Sequence, residues 1–294
     1  MYDPAGLKAF FNSYGENEWE RLEKNLHGRV EYEVTKHILK KHLPPDGHIL
    51  DVGCGPGRYA IDLARMGYRV HLVDISEEQL RIAEERIGEA GVLGNISSFS
   101  CLDVCDLSEI PNASYDAVIC LGGALSYVRD ARSLALSELI RVAKPGSPLI
   151  VSVMSLLGTF HLISHFDHER FLLILEDHIE WDPSTPFPDH VNTNLKSKDW
   201  HAPMTLYTSG YMKEFLEGHG CEVLEIASTN TITSSYWDGL EKITSNPEAT
   251  EMLIRLRRSS APGQVCWIWE SISSPWRRPP GDDAFRTPQI PFRP

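Results

Sequence analysis

Residues 49–60 read ILDVGCGPGRYA. Asp51 stands two positions before the first of three glycines at alternate positions, Gly53, Gly55 and Gly57. Two further acids close later apolar runs, Asp74 in RVHLVDI and Asp103 near the end of ISSFSCLDV. Glycines lack the Cβ that keeps a ligand off the main chain, and carboxylates accept hydrogen bonds from ligand hydroxyls. A phosphate-cradling P-loop needs Lys followed by Ser or Thr after its last glycine, and Arg58-Tyr59 stands there instead. A dinucleotide loop needs G-x-G-x-x-G, whereas the spacing here is G-x-G-x-G. Asp74, about 20 positions on, suits any ligand with an adenosine ribose and does not separate the readings.

These residues must be held by an alternation of strands and helices. Apolar runs predict strands over 48–54, 69–75, 96–104, 115–123 and 148–154, and a helix over 58–67 follows the glycines. Ser76 with Gln79 three residues on reads as a capping box, and Leu80, Ala83, Ile87 and Ala90 mark the buried face of the helix behind it. Asp130 is expected to cap the helix that reaches Ala143. Near-continuous apolar strands separated by helices predict a doubly wound, mostly parallel α/β sheet of seven strands, covered on both faces, with polar residues at the strand ends. The sixth strand is expected over 221–229, and 264–271 is a weaker match to a seventh.

Leu7, Phe10, Phe11 and Tyr14 fall on one helical face, so residues 1–45 predict an N-terminal helical cap. The main domain is expected over 46–274. Within it, 155–207 interrupts the alternation with aromatic and histidine residues and reads as a lid or substrate-binding insertion. The Pro- and Arg-rich stretch 275–294 is expected to be a disordered tail.

The chain has 294 residues and a formal net charge of -13, which makes nucleic acid a poor partner. Its six cysteines include no CxxC pair. With no signal peptide and no apolar run of about 20 residues, a cytoplasmic protein that does not enter membranes is expected. His161, His165 and His168 share a helical spacing, yet nothing else supports a metal and none is expected.

DVGCGPG, LVDIS (72–76), LDVCDL (102–107), YDAVICLGGALSYV (115–128) and VAKPGSPLIV (142–151) occur in this order. Together they resemble the motifs of the class I methyltransferases, which use S-adenosylmethionine; Gly146-Ser147 departs from the two glycines more usual in the last motif. The resemblance implies a cofactor site of Asp51, Gly53, Cys54, Gly55, Gly57, Asp74, Ile75, Asp103, Val104 and Leu121. In it Asp74 would hold ribose hydroxyls and Asp103 the adenine amino group. The positive sulfonium suits such an acidic ring.

FFNSYGENEWERLE (10–23) resembles the N-terminal cap of small-molecule members, which implies a catalytic part for Tyr14. His201 is a candidate base, and Trp19, Tyr127 and Trp200 are candidate acceptor contacts. The expected enzyme is a monomer or homodimer that methylates a small molecule. A methyltransferase acting on RNA or protein, or a non-catalytic S-adenosylmethionine-binding protein, are the alternatives.

Overall fold

The computed structural model describes residues 1–23, 26–160, 185–189, 202–228, 248 and 265–271. Three helices open the chain: α1 (Pro4–Tyr14), α2 (Asn17–Arg21) and α3 (Leu26–His42). The parallel strands are β1 (His48–Val52), β2 (Arg69–Asp74), β3 (Ile96–Cys101), β4 (Ala117–Cys120) and β5 (Pro148–Val153). Between them run α4 (Arg58–Arg65), α5 (Glu77–Glu89), the short α6 (Ala124–Tyr127) and α7 (Arg132–Val142). After β5 come β6 (Phe187–Asp189), β7 (Met204–Leu206), α8 (Ser209–Gly218), β8 (Cys221–Ser228) and β9 (Val265–Ser271).

The main sheet has seven strands in the order β3-β2-β1-β4-β5-β9-β8. β9 is antiparallel to both neighbours, with Ile150 opposite Ile268 on one side and Ala227 opposite Cys266 on the other. The weak sequence match at 264–271 therefore becomes an interior strand. β6 and β7 form a separate antiparallel pair.

Side chains alternate between the two faces of each strand. Ile49, Val70, Leu72, Ala117 and Ile119 pack with Val34, Ile38 and Leu39 of α3 and with residues of α4 and α5. Leu50, Val52, Val73, Val118 and Cys120 pack on the opposite face with Leu136 and Leu139 of α7 and Met212 and Leu216 of α8. Each fully buried Leu or Ile contributes about 1.5–3 kcal/mol. Burial on both faces explains why β1, β2, β4 and β5 read as apolar runs and not as an alternation.

α3 thus belongs to the sheet's covering layer, while no residue of α1 or α2 is buried. α2 is nonetheless fixed closely on α3. A Cβ at Gly28 would lie 2.2 Å from the carbonyl oxygen of Arg21, so the two backbones meet where only glycine fits.

Three local expectations are corrected. The helix–strand alternation fails between β3 and β4, where residues 102–116 form turns stapled by Arg141, whose guanidinium donates to the carbonyls of Leu107 and Ile110. Asp130 does not cap α7. It lies in a 3-10 turn and its carboxylate accepts from the N–H of Tyr2, while Ala131 precedes α7 without a side-chain cap. Ser76 does cap α5 by accepting from Gln79 N at 3.1 Å, but Gln79 does not return the bond. Its amide donates to the carbonyls of Phe11 and Gly15 at 3.1 and 3.0 Å.

His71 lies in the middle of β2 on the α7 side, a polar residue in an apolar layer. Its ring nitrogens meet the Tyr115 hydroxyl at 2.5 Å and the Ser100 hydroxyl at 2.8 Å, so the group is buried with partners. Burial and the neighbouring His48 lower its pKa to about 4.

Candidate active site

β1 carries Asp51 to the C-terminal edge of the sheet, where the chain turns through the glycines into α4. The turn is anchored to β2: Gly53 N and Cys54 N both donate to the carbonyl of Val73, at 2.7 and 3.1 Å. Gly55, at φ +52, holds a left-handed conformation that costs a non-glycine residue roughly 1–2 kcal/mol. Its N–H donates to Asp74 Oδ2 at 2.8 Å, and Asp74 Oδ1 accepts from Ser76 N at 2.9 Å. Gly53, at φ +70, is limited by space as well: a Cβ would stand 2.8 Å from that of Ala124, at the start of α6.

The cleft above this loop is lined by Asp51, Gly53, Cys54, Gly55, Pro56, Arg58, Tyr59, Leu121 and Gly122, and by Glu18, Arg21 and Leu22 from the N-terminal segment. Asp51 is 2% exposed and its Oδ2 has no hydrogen-bond partner. Burial, reinforced by the charge of Asp74, raises its pKa to about 8. Burial also raises Asp74, to about 6, against the lowering effect of its bonds from Ser76 and Gly55. Burial and the same two carboxylates push the Cys54 thiol well above its ordinary range. The two buried carboxyls favour a positive charge close by, which would stabilise their ionised forms.

The two arginines of the cleft behave differently. Arg58 is 7% exposed; it donates to Glu23 and to the carbonyl of Trp19, and its guanidinium stacks 3.9 Å above the Trp19 ring. Arg86 lies over the same indole at 5.1 Å. Trp19 therefore clamps α2 to α4 and α5. Arg21 bonds Glu18 at 2.8 Å and Glu31 at 2.9 Å, and its third nitrogen lies 3.9 Å from where a Cβ on Gly122 would be.

Of the residues expected from sequence, Asp51, Gly53, Cys54, Gly55 and Leu121 share the cleft lining. Asp74 bonds the loop from β2, Gly57 precedes α4, and Ile75 follows Asp74 half-buried. Asp103 lies past β3, where its carboxylate accepts from the Tyr2 hydroxyl at 2.9 Å and from Cys105 N at 2.8 Å. Val104 beside it is packed into the α7-side core. Tyr14 is half-buried and stacked on Phe10, with its pKa raised chiefly by burial. Tyr127, in α6, meets Phe11 of α1 edge to face at 5.4 Å. Trp200, His201, His161, His165 and His168 lie outside the described residues. The two ends of the 155–207 insertion are tied beside β5: Leu156 N donates to the Tyr207 carbonyl and Tyr207 N to the Met154 carbonyl, both at 2.9 Å.

Sequence reasoning missed Glu18, Arg21 and Gln79. The Glu18-Arg21 spacing of a helical ion pair was a local sign of the first two, but nothing local showed that α2 lies over the glycines. Among the described residues no group of three or more His, Cys, Asp or Glu side chains is placed to hold a metal ion.

Residues 49–146 match the family model described as "Methyltransferase domain". The magnesium-protoporphyrin O-methyltransferase of Synechocystis is 30% identical over 155 residues, 48% of this chain and 65% of that protein. An uncharacterized methyltransferase of Mycobacterium bovis is 39% identical over 103 residues, 35% of this chain and 48% of its own length. The chain spans less than two-thirds of the length of these relatives. Among solved structures, the Synechocystis magnesium protoporphyrin IX methyltransferase with bound SAM has a TM-score of 0.55 at 18% identity, covering 92% of this chain and 98% of that one. A Burkholderia thailandensis 1,6-didemethyltoxoflavin-N1-methyltransferase, with S-adenosylhomocysteine bound, has a TM-score of 0.55 at 14% identity, covering 93% and 92%. A [4+2]-cyclase shares the fold at a TM-score of 0.53 and 18% identity, covering 82% of each chain. Residues 49–146 thus match a methyltransferase domain, and the chain shares the fold of solved methyltransferases that hold S-adenosylmethionine or S-adenosylhomocysteine.

Proposed function

We propose that the protein transfers the methyl group of S-adenosylmethionine to a small-molecule acceptor. The observation that carries the reading is Asp51: a buried carboxylate with an unpartnered oxygen, beside a second buried acid, in a glycine-lined cleft. The residues fit the cofactor. The two buried carboxyls favour its positive end, and the positive-φ glycine leaves the main chain open to close approach.

When bound, S-adenosylmethionine supplies a methyl group on a sulfonium, ready for in-line displacement. In this reading Asp51 faces the positive end of the cofactor, and Asp74 accepts from a ribose hydroxyl on lone pairs left by Gly55 and Ser76. Gly53, Cys54, Gly57, Ile75, Val104 and Leu121 complete the cofactor wall, and Asp103 takes the adenine edge once it parts from Tyr2. Methyl transfer asks the protein mainly to hold the acceptor aligned and dry. The N-terminal segment and the insertion after β5 would do this, with Tyr14, Tyr127 and Trp200 at the acceptor and His201 as base. Trp19 we reassign from acceptor contact to clamp, because both arginines lie against its ring.

A small acceptor is supported by the relatives, which include a magnesium-protoporphyrin O-methyltransferase, a ubiquinone biosynthesis O-methyltransferase and a 1,6-didemethyltoxoflavin-N1-methyltransferase. The overall negative charge supports it too. No described helix is long and apolar enough to cross a membrane. The test is incubation with methyl-labelled S-adenosylmethionine and a metabolite extract. Label in one or more small products, with S-adenosylhomocysteine formed in equal amount, is the expected result. Label only in macromolecules would favour an RNA or protein acceptor, and cofactor binding without transfer would favour a non-catalytic binding protein.

A further inference from the structure

Gln79 is 1% exposed, and its side chain is only partly satisfied. Both described bonds of its amide nitrogen leave α5 for the N-terminal segment, to the carbonyls of Phe11 and Gly15. Its carbonyl oxygen Oε1 has no partner. That oxygen lies 4.0 Å from the point where a Cβ on Gly55 would stand, and Gly55 is the residue whose N–H is bonded to Asp74. A buried amide oxygen left unbonded costs about 1–3 kcal/mol. A leucine or methionine would avoid that cost at this core position, but would lose the two bonds to the N-terminal segment.

The same segment holds α5 at neighbouring points. Ser76 Oγ donates to Asn12 Oδ1 at 2.6 Å, Lys8 pairs with Glu77, and Arg86 reaches Glu16 at 2.9 Å. These bonds place α1 and the start of α2 beside the acid that ends β2. Gln79 alone among them has an acceptor turned toward the glycine loop.

Resting on the assignment of this cleft to S-adenosylmethionine, we infer that Gln79 couples the cofactor to the N-terminal segment: Oε1 accepts a hydrogen bond from the ribose hydroxyl that does not donate to Asp74, while the amide nitrogen grips Phe11 and Gly15. The hydroxyl completes the hydrogen bonding of the amide and fixes its orientation. A fixed amide holds the two carbonyls better, so cofactor binding and closure of residues 4–23 over the cleft strengthen each other, as linkage requires. Gln79 is in this role a contact to the cofactor and a positioning residue for the segment that would hold the acceptor.

The experiment compares S-adenosylhomocysteine with its 2′-deoxy and 3′-deoxy analogues, by calorimetry and by hydrogen exchange of residues 4–23. In the unsubstituted protein, S-adenosylhomocysteine should slow exchange in 4–23 several-fold. One of the two deoxy analogues should bind and yet lose that protection. In Q79M the parent ligand should bind about ten-fold more weakly. Removing the same hydroxyl from the ligand should then cost little more, because its partner is already gone. Protection of 4–23 that is the same with all three ligands, or hydroxyl and Gln79 effects that simply add, would overturn the inference. If S-adenosylhomocysteine does not bind the unsubstituted protein at all, it is the assignment of the cleft that fails. If Q79M does not fold, the exchange measurements on the unsubstituted protein still decide.

Discussion

The main-chain N–H of Gly55 donates to Oδ2 of Asp74 at 2.8 Å, joining the middle of the glycine turn to the end of the neighbouring strand. The loop is thereby shaped by a buried acid of the neighbouring strand. In the proposed cofactor site, ligand binding at Asp74 and the conformation of the loop are one problem, not two.

Gly55→Val tests the loop. At φ +52 a β-branched residue is strained whatever the space around it, and the nearest atom to a new Cβ is Glu18 Cγ at 3.5 Å, an ordinary contact. The expected result is a folded protein, less stable by roughly 1–2 kcal/mol, that has lost detectable binding of S-adenosylhomocysteine. Urea unfolding and calorimetry on the same sample check both halves.

Cofactor binding should release protons near neutral pH. The folded pKa values of Asp51 and Asp74, about 8 and about 6, lie above their ordinary value of 3.8. Their stabilising contribution is therefore complete below about pH 4 and is lost as pH rises through the folded values. A positively charged ligand favours the carboxylates, so affinity should rise between about pH 6 and 8. Calorimetry in two buffers of different ionisation enthalpy should show proton release near pH 7, and Asp51→Asn should remove most of it.

His71 gives the opposite slope. Its folded pKa, about 4, lies below the ordinary 6.5. Stability from this group is present above about pH 6.5 and is lost as pH falls toward 4. The two carboxylates gain stability over part of that range, so the unsubstituted protein alone does not isolate the effect. The difference in urea midpoint between it and His71→Gln should shrink from pH 7.5 to pH 5. A difference that stays constant would show that His71 does not titrate this way.

Removal of residues 1–23 tests the cap. A cut at residue 30 would take the first turn of α3 and with it Val30, which is 1% exposed in the core. The shorter deletion removes α1 and α2 and takes only Leu22 from the buried residues of that core, leaving α3 whole. The truncated protein should fold, bind S-adenosylhomocysteine more weakly, and fail to methylate any acceptor found in the extract screen. Full transfer without residues 1–23 would place the acceptor elsewhere.

Much of the fold was legible because its signals are local. Apolar runs ending in Asp51 and Asp74 marked strands buried on both faces, and the glycines marked the turn after β1. The illegible parts depend on contacts between distant residues. Ser76 and Gln79 carry the local pattern of a reciprocal cap, yet the Gln79 amide bonds Phe11, 68 residues earlier. Asp130 has the composition of a helix cap and instead receives the N–H of Tyr2, 128 residues away. Trp19 carries no local sign that Arg58 and Arg86 lie against its ring. Val265–Ser271 lacks a clear strand pattern and takes its register from β5 and β8 on either side.

The most direct test of the cofactor assignment is calorimetry of S-adenosylhomocysteine with the unsubstituted protein and with Asp74→Ala. Charged hydrogen bonds of the kind assigned to Asp74 contribute roughly 1.5–3 kcal/mol, or about ten- to a hundred-fold in affinity. The expected result is saturable one-site binding to the unsubstituted protein, weakened by at least about ten-fold in a variant whose unfolding midpoint changes little. Equal affinity in a folded Asp74→Ala protein would contradict the place given to the ribose, and absence of binding to the unsubstituted protein would contradict the site as a whole.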